Sequence, residues 1–367
     1  MRTRYKWLAA LAVVALALVA LRLALPSLVL RYANARIASM GEYSGHVEDV
    51  GLSILRGAYV LRGVTIVKPA ARVATPFLDL ERMDVSVQWN ALLRGRLVGE
   101  LLMQRPVVNM VQGETDEETQ LGAGVNWPAQ VRELFPFHFN RVEVRDGTVT
   151  FRAPGIEAEE SLTLREARIV LLNLTNVQAE DQDAYADIEL EGRVMGNAPL
   201  MLAGRIDPNA ATPTFDVDLT LEGARLVDVN PWLRQFLNVD AEQGTFTMYA
   251  ELAAAEGRFQ GYIKPLIENP QILSRNERSS GPFQKAWEGL VELATNIFKN
   301  RRTEQVATQV PFAGELEDPS ADVMTALVNL LRNAFVAAFS RSLEGTVSLR
   351  DVAPGADENP AREENEN

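Results

Sequence analysis

Two histidines, no cysteine and a scatter of acids are all this 367-residue chain offers for chemistry. Without cysteine there is no thiolate nucleophile, no disulfide and no thiolate metal site. His46 and His138 each stand alone in strand-like surroundings, and both read as structural or surface residues. Asp181, Asp183 and Asp187 resemble the start of a calcium loop. They lack the glycine at position 6 and the glutamate at position 12 that close such a loop, so a solvated hairpin is the better reading. Asp116-Glu117-Glu118 reads as a solvated loop too. Gly41-Glu-Tyr-Ser-Gly45 has the wrong spacing for a nucleophile elbow, and Gly122-Ala-Gly124 lacks both a third glycine and a preceding strand. There is no His-Glu-x-x-His, no phosphate loop and no Ser-x-x-Lys. The basic end Lys299-Asn-Arg-Arg302 fits either an anionic lipid or the negative end of a helix dipole. The expectation is a protein that is not an enzyme and uses no cofactor and no metal.

Placement is better specified than chemistry. Trp7, Leu8, Leu11, Val14, Leu18 and Leu21 belong to a run, Trp7 to Leu21, without one polar side chain. The run resumes after Arg22 and continues to Leu30, broken by Pro26 and Ser27. About 24 mostly apolar residues suffice to cross a ~30 Å hydrocarbon core. A cleaved secretory signal would end in a small-x-small site. Ala15-Leu-Ala17 lies inside the run, and Arg22-Leu-Ala-Leu-Pro26 after it holds no such site, so 7–30 reads as an uncleaved anchor. Arg2, Arg4 and Lys6 favour a cytoplasmic N-terminus; Arg31 and Arg36 weaken that preference without reversing it. The expected location is a bacterial inner membrane, crossed once, with the rest of the chain in the periplasm. Residues 1–36 carry +6 and 351–367 carry -5 of the net -13, so the body from 37 to 350 carries -14. Such a body repels phosphate backbones, which argues against nucleic acid as a partner.

The elements that follow are mostly strands. Period-two patterning or β-rich runs predict strands at 47–55, 59–67, 77–89, 97–111, 137–145, 147–153, 161–174, 185–195, 199–206, 213–222, 243–254, 257–267, 305–315 and 344–350. Short connections predict antiparallel pairing. Pro106 predicts an edge or a bulge. Ile188, Leu190 and Val194, with Phe215, Val217, Leu219 and Leu221, mark a dry face; Asp187, Glu189 and Asp218 mark the wet one. Helices are predicted at 31–40, 227–237, 283–301 and 319–342. Gly-rich, acidic 112–126 reads as a mobile loop within a β-rich domain spanning 31–350, and the acidic tail 351–367 reads as disordered. A hexamer recurs at Asp146–Phe151, Gln243–Met248 and Glu344–Leu349: polar-Gly-Thr-apolar-Ser/Thr-apolar. Either duplicated modules or the common chemistry of tight turns accounts for it.

The order and spacing of several segments resemble a known family. They are Leu25-Pro-Ser-Leu-Val-Leu-Arg-Tyr-Ala-Asn34, Val50-Gly-Leu-Ser-Ile-Leu-Arg-Gly57, Leu61-Arg-Gly-Val-Thr-Ile66 and Val142-Glu-Val-Arg-Asp-Gly-Thr-Val149. Leu171-Leu-Asn-Leu174, Gly261-Tyr-Ile-Lys-Pro-Leu-Ile-Glu-Asn269, Val310-Pro-Phe-Ala-Gly314 and Leu330-Leu-Arg-Asn-Ala-Phe335 complete the set. Together they resemble the AsmA-like family of inner-membrane-anchored envelope proteins, in a branch catalogued as a domain of unknown function. The resemblance implies an elongated β-sheet curled into an apolar groove, in a family linked to moving phospholipid between membranes or to outer-membrane assembly.

The fold class expected is therefore α+β, mainly β. An N-terminal transmembrane helix would lead into an elongated antiparallel sheet, curled into a groove with a few covering helices. Membrane lipid would be the partner, with the dry-face residues Ile188, Leu190, Val194, Phe215, Val217, Leu219 and Leu221 facing it. A closed core plugged by the helices is the competing arrangement. Fourteen strands at ~4.8 Å make a ribbon of roughly 65 Å, too short to bridge two membranes. A protein partner or self-association at a sheet edge is accordingly expected.

Overall fold

Alternating apolar and polar residues put one face of a strand in water and one in a core, and the computed structural model is built almost wholly on that pattern. It describes residues 24–38, 40–53, 57–88, 97–122, 137–175, 185–210, 212–237, 239–274 and 310–315, with Val13 and Leu16. The strands are β1 (Ser44–Ser53), β2 (Ala58–Val67), β3 (Leu78–Val87), β4 (Leu97–Val111), β5 (Phe137–Arg152) and β6 (Leu162–Thr175). They continue as β7 (Ala186–Val194), β8 (Ala198–Ile206), β9 (Phe215–Arg225), β10 (Val239–Ala255), β11 (Arg258–Ser274) and β12 (Val310–Glu315). Their order in one open, mostly antiparallel sheet is their order in sequence. Helical residues are few among those described: α1 (24–37) and α2 (Asn230–Leu237), the latter led in by a 3-10 turn at Leu226–Val229. The chain divides into two compact units, Met1–Gln178 and Ala179–Asn367, a division absent from the single 31–350 span expected from sequence.

Within the first unit one pairing departs from expectation. β4 and β5 are parallel, Leu97 beside Phe137 and Val111 beside Arg152. Short connections cannot make a parallel pair, and the stretch between Val111 and Phe137 is the long one that returns the chain to the same end. β4 is therefore interior, between β3 and β5, and Pro106 does not blunt an edge. It keeps Leu80 of β3 as its register partner and is tolerated because Arg105 beside it is left-handed, with φ 50°, and the β4–β5 ladder passes from Gln104 to Val107. Residues 112–122, read from sequence as part of a mobile loop, are tied down. Gln120 exchanges backbone hydrogen bonds with Val111, its side-chain amide donates to the carbonyls of Thr75 and Asn109, and the Gly122 N–H donates to the Tyr43 hydroxyl.

A second departure runs across all six strands of this unit. Perfect alternation would put residues three apart on opposite faces. Instead Val47 and Val50, Leu61 and Val64, and Leu80 and Met83 all pack in one cluster, joined by Met103 and by Val29, Leu30, Ala33 and Ile37 of α1. Pairing skips Glu48 with Gly63, Gly63 with Glu81 and Glu81 with Arg105, and it shifts register around Asp146 in β5. Gly63, Arg105, Asp146 and Glu166 are left-handed, with φ of 59°, 50°, 54° and 52°. Each strand thus holds two consecutive outward residues at one level: Glu48-Asp49, Arg62-Gly63, Glu81-Arg82, Gln104-Arg105, Arg145-Asp146 and Arg165-Glu166. Local bulges bend a strand and sharpen its twist, and here they align as a crease. Asp146-Gly147 accordingly makes a bulge inside the continuous β5, where 137–145 and 147–153 were expected as separate strands.

In the second unit all described pairs are antiparallel. β10 and β11 are joined by Glu256 and Gly257, both left-handed, as a two-residue hairpin requires. Gly244, from the second copy of the hexamer, also sits at a register shift inside a strand and not at a turn. β11 runs to Ser274, well past the expected 267, through Pro265 and Pro270. β12 pairs only with Arg258–Ile263, so the prolines meet no strand but β10 among the described residues.

The two units share one device. The Asn34 side chain, on α1, accepts from the Val47 N–H at 2.7 Å and donates to its carbonyl at 3.0 Å. Asn230, opening α2, does the same to Ala241, at 2.7 and 2.9 Å. A carboxamide presents the same donor and acceptor as a peptide group, so each asparagine stands in for a neighbouring strand.

Most of the expected anchor, Trp7, Leu8, Leu11, Val14, Leu18 and Leu21 included, lies outside the described residues. Among those described, no helix is long and apolar enough to cross a membrane. The helices expected at 283–301 and 319–342, the strand at 344–350 and the acidic tail also lie outside.

Candidate apolar face and arginine cluster

Register places the seven sequence-chosen residues of the second unit on one face. Leu190 of β7 lies opposite Leu202 of β8, which lies opposite Leu219, then Ala250 and Ile263. The next row reads Ile188, Gly204, Val217, Leu252 and Gly261; another reads Ala186, Ile206, Phe215, Ala254 and Phe259. Leu200 and Met248 flank Leu221, and Val194 faces Ala198. Opposed residues of neighbouring strands share a face, so these rows form one apolar surface. Leu200, Leu202, Ile206, Leu252, Phe259 and Ile263 were missing from the sequence-based set. Met201 on the wet side blurs the alternation of β8, and the alanine run of β10 hides its phase.

Burial across this face is uneven. Leu221 is 3 % exposed and packs with Ala198, Ala224 and Phe246. Ile188, Leu190, Val194, Phe215, Val217 and Leu219 are only partly buried. In the first unit, by contrast, Leu80 and Val85 are closed off, at 0 % and 1 % exposure. Small residues set the surface relief. A Cβ on Gly314 would meet the Phe259 ring at 2.6 Å, so that ring lies across the glycine.

The opposite face is acidic. Asp218 and Glu251 are direct cross-strand neighbours, and the Tyr262 hydroxyl donates to the Glu251 carboxylate. Desolvation, then Glu251 and Asp216, raise the Asp218 carboxyl above its ordinary range. Asp187, Glu189 and Glu191 are exposed, as the wet-face reading requires.

A polar cluster that sequence reasoning missed lies in the first unit. Glu143 of β5, its side chain 9 % exposed, is held by Arg141 at 3.0 Å and Arg145 at 2.8 Å, with Arg168 of β6 at 3.7 Å. The hydrogen bond from Arg145 is the main reason its carboxyl falls to about 2. The readable signal was the alternation Arg141, Glu143, Arg145 within one strand. Among the described residues no group of acids, histidines or cysteines is arranged to hold a metal. His46 and His138 lie in β1 and β5, on separate strands that do not pair.

Comparison with protein-family models finds none that matches this chain. Comparison with curated proteins finds no match either.

Proposed function

We propose that this chain is a membrane-anchored protein of a bacterial envelope that handles lipid on the apolar face of its second unit. The observation that carries the reading is the row structure of β7 to β11: Leu221 and Ile263 are buried, but Ile188, Leu190, Leu200, Leu202, Val217, Leu219 and Leu252 are only partly so, and the opposite face is charged. Acyl chains suit such a surface because each methylene removed from water contributes ~0.8 kcal/mol. The apolar N-terminal run and the basic residues before it support anchoring in the inner membrane, with the body in the periplasm. The AsmA-like resemblance points the same way, toward a groove for phospholipid. The role proposed for the face is carriage or maintenance and not turnover.

The test is lipid mass spectrometry on the full-length protein purified from membranes. Phospholipid should co-purify. Leu190→Asp and Leu219→Asp should strip it, while Glu189→Ala and Asp218→Ala should retain it. Absence of lipid from every preparation, or equal loss from both sets, would reject the reading.

A second reading, a docking protein of the envelope, rests on one observation. Beyond Ile263 no described strand pairs with β11 on the side away from β10. Such an edge is able to add a strand from another chain. Crosslinking from Lys264 and Glu268 in cells tests it; recovery of monomer alone would dismiss it.

A further inference from the structure

The outer side of α1 has no role in the fold just described. Its inner side carries Val29, Leu30, Ala33 and Ile37 into the core beneath β1, and Asn34 onto the β1 backbone. The other side carries Leu28, Arg31, Tyr32 and Ala35, spaced i, i+3, i+4 and i+7, with Arg36 alongside, and all five are exposed. Leu28 is 48 % and Tyr32 53 % exposed, which places them among the few large apolar side chains left in the open among the described residues. The Arg36 guanidinium lies over the Tyr32 ring, 5.4 Å from its centroid.

Aromatic rings flanked by arginines are the chemistry of the bilayer interface. Tyrosine puts its ring among acyl ends and its hydroxyl among headgroups, and arginine stems reach the phosphates. Charge favours the same partner. The first acid in the chain is Glu42, so α1 is a purely basic element on a body carrying -14. An acidic protein surface or a nucleic acid would meet that body's repulsion; a bilayer surface touches only the face presented to it. Continuity adds to this, since the apolar run containing Val13 and Leu16, 66 % and 73 % exposed, precedes α1 directly.

We propose that the stripe Leu28, Arg31, Tyr32, Ala35 and Arg36 is a membrane-contact surface that lies against anionic headgroups and fixes how the β1 edge faces the bilayer. The proposal rests on the anchor reading, and the experiment separates the two. The chain has no cysteine, so single cysteines are clean reporters. Leu16→Cys, Tyr32→Cys and Glu189→Cys are labelled with an environment-sensitive fluorophore in the full-length protein. Each is reconstituted into phosphatidylcholine vesicles with or without phosphatidylglycerol, carrying quenchers at headgroup or at deep acyl positions. The expected result is deep quenching at 16, headgroup-level quenching at 32 that strengthens with phosphatidylglycerol, and none at 189. Deep quenching at 16 with a position 32 no more quenched than 189 overturns the surface and leaves the anchor standing. No quenching at 16 or 32 overturns both. In a Leu28→Cys background, Arg31→Glu with Arg36→Glu should abolish the phosphatidylglycerol dependence while leaving the circular dichroism spectrum unchanged. Unaltered dependence in that variant overturns the assignment of the arginines to headgroup contact.

Discussion

In the first unit, residues three apart share one core along the crease; in the second, β7 and β8 alternate without a slip, and the period breaks in β9, where Leu221 and Ala224 pack together across left-handed Gly223. The first unit breaks the strand period at one level in every strand and closes its interior until Leu80 is sealed. The second keeps the period over its leading strands and leaves Leu190 and Leu219 partly open. A regular strand keeps its apolar residues on one continuous face, whereas aligned bulges sharpen the twist and let side chains from both sides of the crease meet. The contrast suggests a division of labour between a unit that stores stability and a unit that leaves surface available.

The sharpest way to break this contrast is a charge in each core. Leu80→Asp should cost several kcal/mol, because a sealed carboxylate loses its water without gaining a partner. Leu219→Asp should cost markedly less, since its side chain already reaches solvent. Urea denaturation of the two variants measures both, and equal midpoints would erase the distinction.

Next in size are the two asparagines. Asn34→Ala and Asn230→Ala each strand a backbone donor and acceptor, at Val47 and at Ala241, for about 1–3 kcal/mol. The losses should match, because the geometry matches. Hydrogen exchange at the Val47 and Ala241 amides reads them, and unchanged protection at either would show that the side chain is ornamental there.

Acid should act on the units with opposite sign. The folded-state value of Glu143, about 2, lies below its ordinary 4.5, so its ionised form stabilises the fold. That contribution is whole above about 4.5 and is lost as the pH falls through about 2. Asp218 is raised above its ordinary 3.8, so its contribution is present below that value and lost as the pH rises through the folded one. Acidification should therefore loosen the first unit while relieving the Asp218–Glu251 repulsion in the second. Exchange rates followed down the pH scale test this, and Glu143→Gln should flatten the response of the first unit alone.

The smallest effect isolates crowding from backbone strain. Gly63 and Gly223 have nearly the same φ, 59° and 60°, but a Cβ on Gly63 would meet the Glu48 side chain at 2.4 Å and one on Gly223 would meet nothing within 4 Å. Gly223→Ala should cost about 1 kcal/mol for the left-handed backbone. Gly63→Ala should cost a few tenths more, because exposed Glu48 can swing aside. Thermal unfolding resolves the pair.

Much of this architecture was legible because period two is a strong signal where it holds. Ile188, Leu190, Phe215 and Leu219 alternate cleanly with acids, and the structure puts them on one face. Strand positions and the α2 helix followed from the same patterns and from Pro231-Trp232. What escaped is what local patterning does not encode. The parallel β4–β5 pair depends on a long return connection, and sequence shows only the length between Val111 and Phe137, not the direction in which β5 pairs. The crease was present in the sequence as charged doublets such as Glu48-Asp49, Glu81-Arg82, Arg145-Asp146 and Arg165-Glu166, each between apolar residues three apart. Taken singly, a doublet looks like noise; only pairing shows that they fall at one level. The Glu143 cluster escaped for the same reason, since Arg168 comes from the next strand.

The crease also makes six distant stretches of chain behave as one mechanical part. Register is kept on either side of it because each strand carries the same extra residue at the same level. Removing one member, Asp146 for example, would turn half of β5 inside out against neighbours that still carry theirs. The deletion could be repaired only by trimming the other five strands in step. Such a sheet absorbs a changed side chain along the crease more readily than a change in length there: a fault line that holds as long as every layer has slipped by the same amount.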